Sequence, residues 1–351
     1  MINNNIDKEI KESLKNWKEI ISSYQVPNNR KAVIQVLNTF VPFIALWVLM
    51  YFSMQWSILL TIGLGVINAF FMVRIFIIQH DCGHQSFFKS KKLNNAVGYI
   101  CSLFSSIPYT YWAKVHNFHH GHNGQLEVRE VGDIPTLTVE EYRQRSKWGK
   151  LRYRIWRMPL ITFVIAPAFY FIISNRIPLF KDKLKNMKSI SRSQLRNNIL
   201  ILALYASLAW LLGWKQFLFI QLTLIFLFGI IAFWFFYIQH QHEASYKQWK
   251  KNWDYLLSAI RGSSYYRLPR PIQWLTGNIG IHHIHHLSSI IPNYNLEKCM
   301  RENKILNKYV TTIGFWESLK MIKYKLWDED RGKMVSFEEF KSYEKVRQQA
   351  A

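Results

Sequence analysis

All twelve histidines of this 351-residue chain fall in four short clusters. They are His80 and His84; His116, His119, His120 and His122; His240 and His242; and His282, His283, His285 and His286. Residues 1–79, 123–239 and 287–351 contain none. On a helix, side chains three and four positions apart share a face. The pair 80/84 and the triplets 116/119/120 and 282/285/286 can therefore each aim two or three imidazoles at one place. Imidazole is a ligand for zinc, copper, iron and nickel. A structural zinc takes four ligands and a catalytic one three, so roughly eight to ten converging histidines exceed one ion and suit two. Neutral donors leave divalent ions highly charged, and zinc has no redox chemistry, whereas iron with an open position can activate dioxygen. The residues thus predict a dinuclear, oxygen-activating iron site. Ferritin-like dinuclear sites use Glu and Glu-x-x-His instead.

Long apolar runs must position these clusters. A membrane span needs roughly 20 apolar residues. Residues 33–52, 57–78 and 217–238 meet this, and 199–213 is shorter but uninterrupted. Segments 96–112, with Pro108, and 158–174, with Pro167, are more broken and read as interfacial or re-entrant helices. Cytoplasmic loops are enriched in Lys and Arg. The links 53–56 and 214–216 hold no basic residue and only Lys215, whereas 175–198 carries Arg176, Lys181, Lys183, Lys185, Lys188, Arg192 and Arg196. The predicted fold is an all-α integral membrane protein. Its four spans form two hairpins, with both termini cytoplasmic and a cytoplasmic helical cap holding the histidine-rich site. All four clusters then lie on one side of the bilayer.

In residues 1–31, Ile6, Ile10, Leu14, Trp17 and Ile21 mark one helical face. This segment either packs on its own protein or lies in the membrane interface. Residues 32–340 form the main domain, and 341–351 a polar tail. Lys plus Arg number 45 against 22 acidic residues, a formal charge of +23, which suits an anionic surface. Apolar runs between the basic blocks favour a lipid surface and argue against nucleic acid. Cys82, Cys101 and Cys299 are few and far apart, so no disulfide framework is expected and a reducing face fits.

The clusters resemble the HxxxH, HxxHH and HxxHH boxes of the membrane-bound fatty acid desaturases. Here they read "HDCGH" at 80–84, "HNFHH" at 116–120 and "HHIHH" at 282–286, in that order. The flanks "GDIPTLTVEEY" (132–142), "GSSYYRLP" (262–269), "HHLSSIIPNYNL" (285–296) and "LWDED" (326–330) are similar to the family too. The likeness covers roughly residues 33–340 and is strongest to bacterial acyl-lipid desaturases of the delta-5 and delta-12 (omega-6) type. The first box is shorter than that of the acyl-CoA branch, and Phe236 stands where that branch has Asn. His282 stands where front-end desaturases have Gln, and no fused cytochrome b5 motif is present.

This resemblance implies an oxygen-dependent desaturase acting on phospholipid acyl chains with two irons. An external electron donor of ferredoxin, flavodoxin or cytochrome b5 type is implied as well. The implied ligands are His80, His84, His116, His119, His120, His240, His282, His285 and His286. His242 could replace His240 if the helix unwinds there, while His283 and His122 hydrogen-bond around the site. Asp81 and Glu243 either orient imidazoles or are ordinary carboxylates. Arg74 either snorkels to headgroups or meets substrate, and Phe233 to Tyr237 either wall an acyl tunnel or face lipid. A related hydroxylase, ketolase or epoxygenase could share the iron site. A metal transporter or sensor would need charged residues at mid-membrane depth, and the span centres have none.

Overall fold

The computed structural model describes residues 2–177 and 187–349. Lys181, Lys183 and Lys185 of the basic loop lie outside the described residues. Two helices open the chain, α1 (Ile2–Ser13) and α2 (Trp17–Ser22). Then come the long apolar helices α3 (Asn29–Ser53) and α4 (Ile58–Gly83). Asn28 caps α3 by accepting from Lys31 N, and Ser57 caps α4 by accepting from Leu60 N. The expected 96–112 segment is two helices, α5 (Lys91–Ser105) and α6 (Tyr109–His122). The break falls at Ser106, in the left-handed region at φ 58°, and at Pro108, which has no N–H to continue a helix.

Short helices α7 (Val139–Gln144) and α8 (Lys147–Trp156) follow. A π-helical turn (Ile161–Ile165) then leads into α9 (Ala166–Ile172). The axis bends by 55° between Lys147–Trp156 and Ile161–Arg176, so this pair is either one broken span or a re-entrant loop. Two further long helices, α10 (Met187–Leu212) and α11 (Trp214–His240), are joined at Gly213, whose φ of 87° suits only glycine. The remainder is a cap built from α12 (Tyr255–Arg261), α13 (Arg270–Leu275), α14 (His282–Leu287), α15 (Asn293–Glu302), α16 (Phe315–Met321) and α17 (Phe337–Gln349). Residues 341–349, expected as a polar tail, continue α17.

The all-helical expectation misses two small sheets. Strands β1 (Ser264–Arg267) and β2 (Thr311–Gly314) pair in parallel, and β3 (Tyr324–Asp328) and β4 (Lys333–Ser336) antiparallel. Both stitch the cap together, and neither alters the mainly helical architecture.

Four helices, Asn29–Ser53, Ile58–Gly83, Ser191–Leu212 and Trp214–His240, are long and apolar enough to cross a membrane. Each extends a few residues beyond the apolar window read from sequence. Their outward faces carry Val33, Leu37, Val41, Leu59, Ile67, Leu202 and Leu222, all exposed. An apolar surface this continuous would associate in water, whereas hydrocarbon accepts it. Inside, α4 packs between α3 and α11, and α10 lies against α11. Ile10, Leu14 and Ile21 are fully buried against Leu257, Ile284 and Leu296 of the cap. From Ile10 onward the N-terminal apolar face is therefore packed on the protein itself, while Ile6 is exposed.

Candidate metal centre

Helices α4 and α11 lie side by side and both run toward the cap. His80 lies in the last turn of α4, and α11 ends on His240. Helix α6 packs against α4 and supplies His116, His119 and His120 from one face. Helix α14, six residues long, contacts β1, α12 and α15 and supplies His282, His285 and His286. His84 follows α4 directly as its C-cap. The nine histidines expected as ligands thus come from four elements that meet at one end of the long helices.

They fall into two sets. Donor nitrogens of His80, His84, His116, His120 and His285 all lie within 4.8 Å of one another. So do those of His119, His240 and His286. His282 joins the second set, with its Nε2 3.0 Å from His240 Nε2 and 3.1 Å from His286 Nε2. Ligands on opposite sides of an ion at roughly 2.1 Å stand about 4.2 Å apart, so each set has the dimensions of a coordination sphere. The sets abut: the rings of His120 and His286 stack with centroids 4.1 Å apart.

The rings are held so that a bare nitrogen faces inward. His80 Nδ1 lies 2.8 Å from Asp81 Oδ1, and a carboxylate can only accept there. That fixes the Nδ1–H tautomer and leaves His80 Nε2 without a protein partner. Asp81 Oδ2 accepts from Asn293 N at 2.7 Å and Asn293 Nδ2 at 2.8 Å, while Gln35 Nε2 donates to Asn293 Oδ1 at 3.0 Å. One imidazole is thereby tied to both α15 and α3. His240 Nδ1 donates to Gly262 O at 3.1 Å, again turning Nε2 to the site.

His84, His119 and His285 have both ring nitrogens buried and unpartnered. Buried polar atoms are nearly always satisfied, so a cluster of orphaned imidazole nitrogens fits ions that would satisfy them. Burial, reinforced by neighbouring imidazoles, holds His84, His116, His120, His282, His285 and His286 well below the ordinary histidine range. Burial takes His119 down to about 4, against the opposing pull of Asp133. These rings are neutral at pH 7, the form that binds metal.

The remaining histidines stand apart. His283 Nε2 donates to Asn307 Oδ1 at 3.2 Å, and His122 Nδ1 donates to Phe118 O at 2.8 Å. His242 is fully buried with both nitrogens unpartnered, yet belongs to neither set. Helix α11 ends at His240, and Gln241, with ψ 68°, has left it. Glu243 touches Tyr324 Oη at 2.6 Å and Lys333 Nζ at 2.9 Å, and no imidazole. Phe236 packs on the rings of His119 and His240. Trp234 and Tyr237 pack on Phe163. These aromatics therefore face protein. Arg74 bonds Thr39 Oγ1 at 3.1 Å and stacks 3.9 Å over Trp274. Asp133, buried near His119 with Lys247 Nζ at 3.9 Å, was passed over in the sequence, where only its "GD" context marked it.

Comparison with known proteins agrees with this geometry. The sequence model described as fatty acid desaturase matches residues 54–314. A fatty acid desaturase of Bacillus subtilis (strain 168) is 43% identical over 325 residues, covering 92% of this chain and 90% of the relative. The sn-1 oleoyl-lipid 12-desaturase of Synechocystis sp. is 26% identical over 278 residues, 73% of each chain. The sn-1 acyl-lipid omega-3 desaturase (ferredoxin) of the same organism is 28% identical over 249 residues, 67% of this chain and 65% of the relative.

Proposed function

The chain belongs to the fatty acid desaturase family, and from that premise we propose that it places a double bond in the acyl chain of a membrane lipid, at two irons held by its nine converging histidines. The enzyme is an oxidoreductase. The observation that carries the finer reading is the pairing of a five-nitrogen and a four-nitrogen set at the ends of four apolar helices.

When bound, the irons supply the oxidising power, drawn from dioxygen, that an unactivated methylene requires. The chain's own residues set the conditions. His80, His84, His116, His120 and His285 would hold one ion, and His119, His240, His282 and His286 the other. Asp81 and the Gly262 carbonyl hold two of these rings in the ligating tautomer. Burial keeps the imidazoles neutral and excludes water from the reacting carbon. Two neighbouring carbons each lose one hydrogen and a C=C bond forms. These two hydrogens, with two electrons and two protons from outside, reduce one dioxygen to two waters.

The acyl-lipid relatives support a lipid-linked substrate. The ferredoxin named in one of them supports a small one-electron carrier, of ferredoxin, flavodoxin or cytochrome b5 type, as the donor. The four apolar helices support a multi-pass membrane protein, and the Lys/Arg-rich sequence 175–198 supports a cytoplasmic histidine end and cytoplasmic termini. Gas chromatography of lipids from a heterologous host expressing the chain tests the reading. New unsaturated acyl chains in the phospholipid fraction are expected. A hydroxylated product, or no new product beside well-expressed membrane protein, contradicts it.

A further inference from the structure

A second cluster of charge gathers around the last turn of α11, where Arg157 meets Gln241 and Lys325 meets Tyr237. Arg157, Lys247 and Lys325 are all at least nine-tenths buried, and Arg129 is largely so. They lie close enough to act on one another: the fields of Arg157 and Arg129 fall on Lys247, and that of Arg157 on Lys325. Two carboxylates answer them. Asp133 stands 3.9 Å from Lys247, and Glu141 pairs with Arg129 at 2.5 Å. Among the described residues, no carboxylate pairs with Arg157 or Lys325.

Those two cations meet only neutral acceptors. Arg157 donates to Gln241 Oε1 at 2.9 Å and to Tyr324 O at 3.4 Å, and its Nε is buried without a partner. Lys325 Nζ reaches Tyr237 Oη at 3.3 Å. Burying a cation without an anion is expensive. Burial, with Arg157 adding to it, takes the Lys325 ammonium down to about 7. A fold that holds two unanswered cations together is shaped for an anion that arrives from outside.

Their depth suggests which anion. Arg157 caps the C-terminus of α8 and turns inward. The outer face of α8 exposes Trp148, Leu151, Ile155 and Trp156, and the chain beyond Arg157 exposes Met158 and Leu160 before bending into the apolar Ile161–Arg176 segment. An amphipathic helix with outward tryptophans lies at the headgroup level of a bilayer. Arg157 therefore sits where a lipid phosphate is found. Gln241, which it holds, is the residue after His240.

We propose that Arg157 and Lys325 bind the phosphodiester of the phospholipid whose acyl chain is desaturated. Charge-assisted hydrogen bonds to phosphate are the interaction a guanidinium and an ammonium make best. With the headgroup fixed beside the last turn of α11, the reacting carbon is measured from the glycerol end of the chain. This rests on the acyl-lipid reading above.

The test is thermal unfolding of the detergent-purified protein, titrated with short-chain phosphatidylglycerol or with diacylglycerol of the same chains. A ligand bound by the native state alone raises the melting temperature saturably. Phosphatidylglycerol should do so for the wild type and diacylglycerol should not. Arg157→Gln and Lys325→Met should each raise the half-saturating concentration by about 10- to 100-fold, and Lys325→Arg should restore the response. Without lipid, Lys325→Met should melt no lower than wild type, because it removes an unanswered buried charge. A lower melting point for that variant, an undiminished response in both variants, or an equal response to diacylglycerol would each overturn the site. Tighter saturation by inorganic phosphate or an acyl-CoA thioester, lost in the same variants, would overturn the phospholipid as the anion's source. Failure of the acyl-lipid reading would appear separately, as phospholipid chains that the wild type leaves saturated.

Discussion

Asp81 Oδ1 stands 2.8 Å from His80 Nδ1, and the same carboxylate accepts two hydrogen bonds from Asn293. The side chain that orients an imidazole at the end of α4 is thus itself locked to α15. The neighbouring residue in sequence carries the tautomer of a candidate ligand, and a residue 212 positions away holds that neighbour still.

Asp81→Asn keeps an acceptor oxygen but loses the charge and the strength of the bond to Nδ1–H. Loss of such an outer partner costs roughly 10- to 100-fold in metal affinity or activity. Product per cell should fall in that range, at expression matched to wild type, and iron should be lost at a lower chelator concentration than from wild type. A variant with full iron and full activity would show that His80 needs no such support.

Position 240 and position 242 should behave differently. His240 Nε2 lies 3.0 Å from His282 Nε2, whereas His242 belongs to neither nitrogen set. His240→Ala should yield no unsaturated product, and His242→Ala a measurable amount. A dead His242→Ala beside an active His240→Ala would place the ligand two residues later and require the four-histidine set to rearrange.

Much of this site was legible because its spacing is local. The i, i+3, i+4 patterns at 116–120 and 282–286 fix which imidazoles share a face before any tertiary contact exists. Helix ends were less legible. A hydropathy window stops where polarity begins, yet α4 continues through Gln79, His80 and Asp81 because their side chains find partners: Gln79 at Ser105 and Ile107, His80 at Asp81, and Asp81 at Asn293 of the cap. The break at Ser106 depends on one left-handed residue that sequence does not mark. Asp133 with Lys247, and Arg157 beside Lys325, were invisible because each grouping joins residues more than 100 positions apart. Glu243, as near to a histidine in sequence as Asp81, serves β3 and β4 instead. Adjacency alone could not separate the two.

The proposed orientation, with the histidine end and both termini cytoplasmic, is open to thiol labelling. A cysteine placed at Trp56, an exposed side chain in the turn between α3 and α4, should react with a membrane-impermeant thiol reagent in intact cells. Cysteines placed near residues 5 and 345 should react only after lysis. Labelling of all three from one side would undo the paired-hairpin arrangement.

Lys325 also gives stability a pH dependence. Its ammonium falls to about 7 in the folded chain from an ordinary 10.5. Between those values the unfolded chain binds the extra proton, so stability rises with pH across that window. The advantage of Lys325→Met over wild type, without lipid, should be full below about pH 7 and shrink steadily toward pH 10. A difference that stays flat across that range would mean the amine titrates normally in the folded protein.

The two nitrogen sets are the core of the account, and metal content tests them most directly. Protein purified from an iron-replete host should carry two irons per chain. His84→Ala, in the five-histidine set, and His119→Ala, in the four-histidine set, should each fall toward one, and both should lose desaturation. One metal per chain in active wild-type protein, or activity with a single bound zinc, would contradict it.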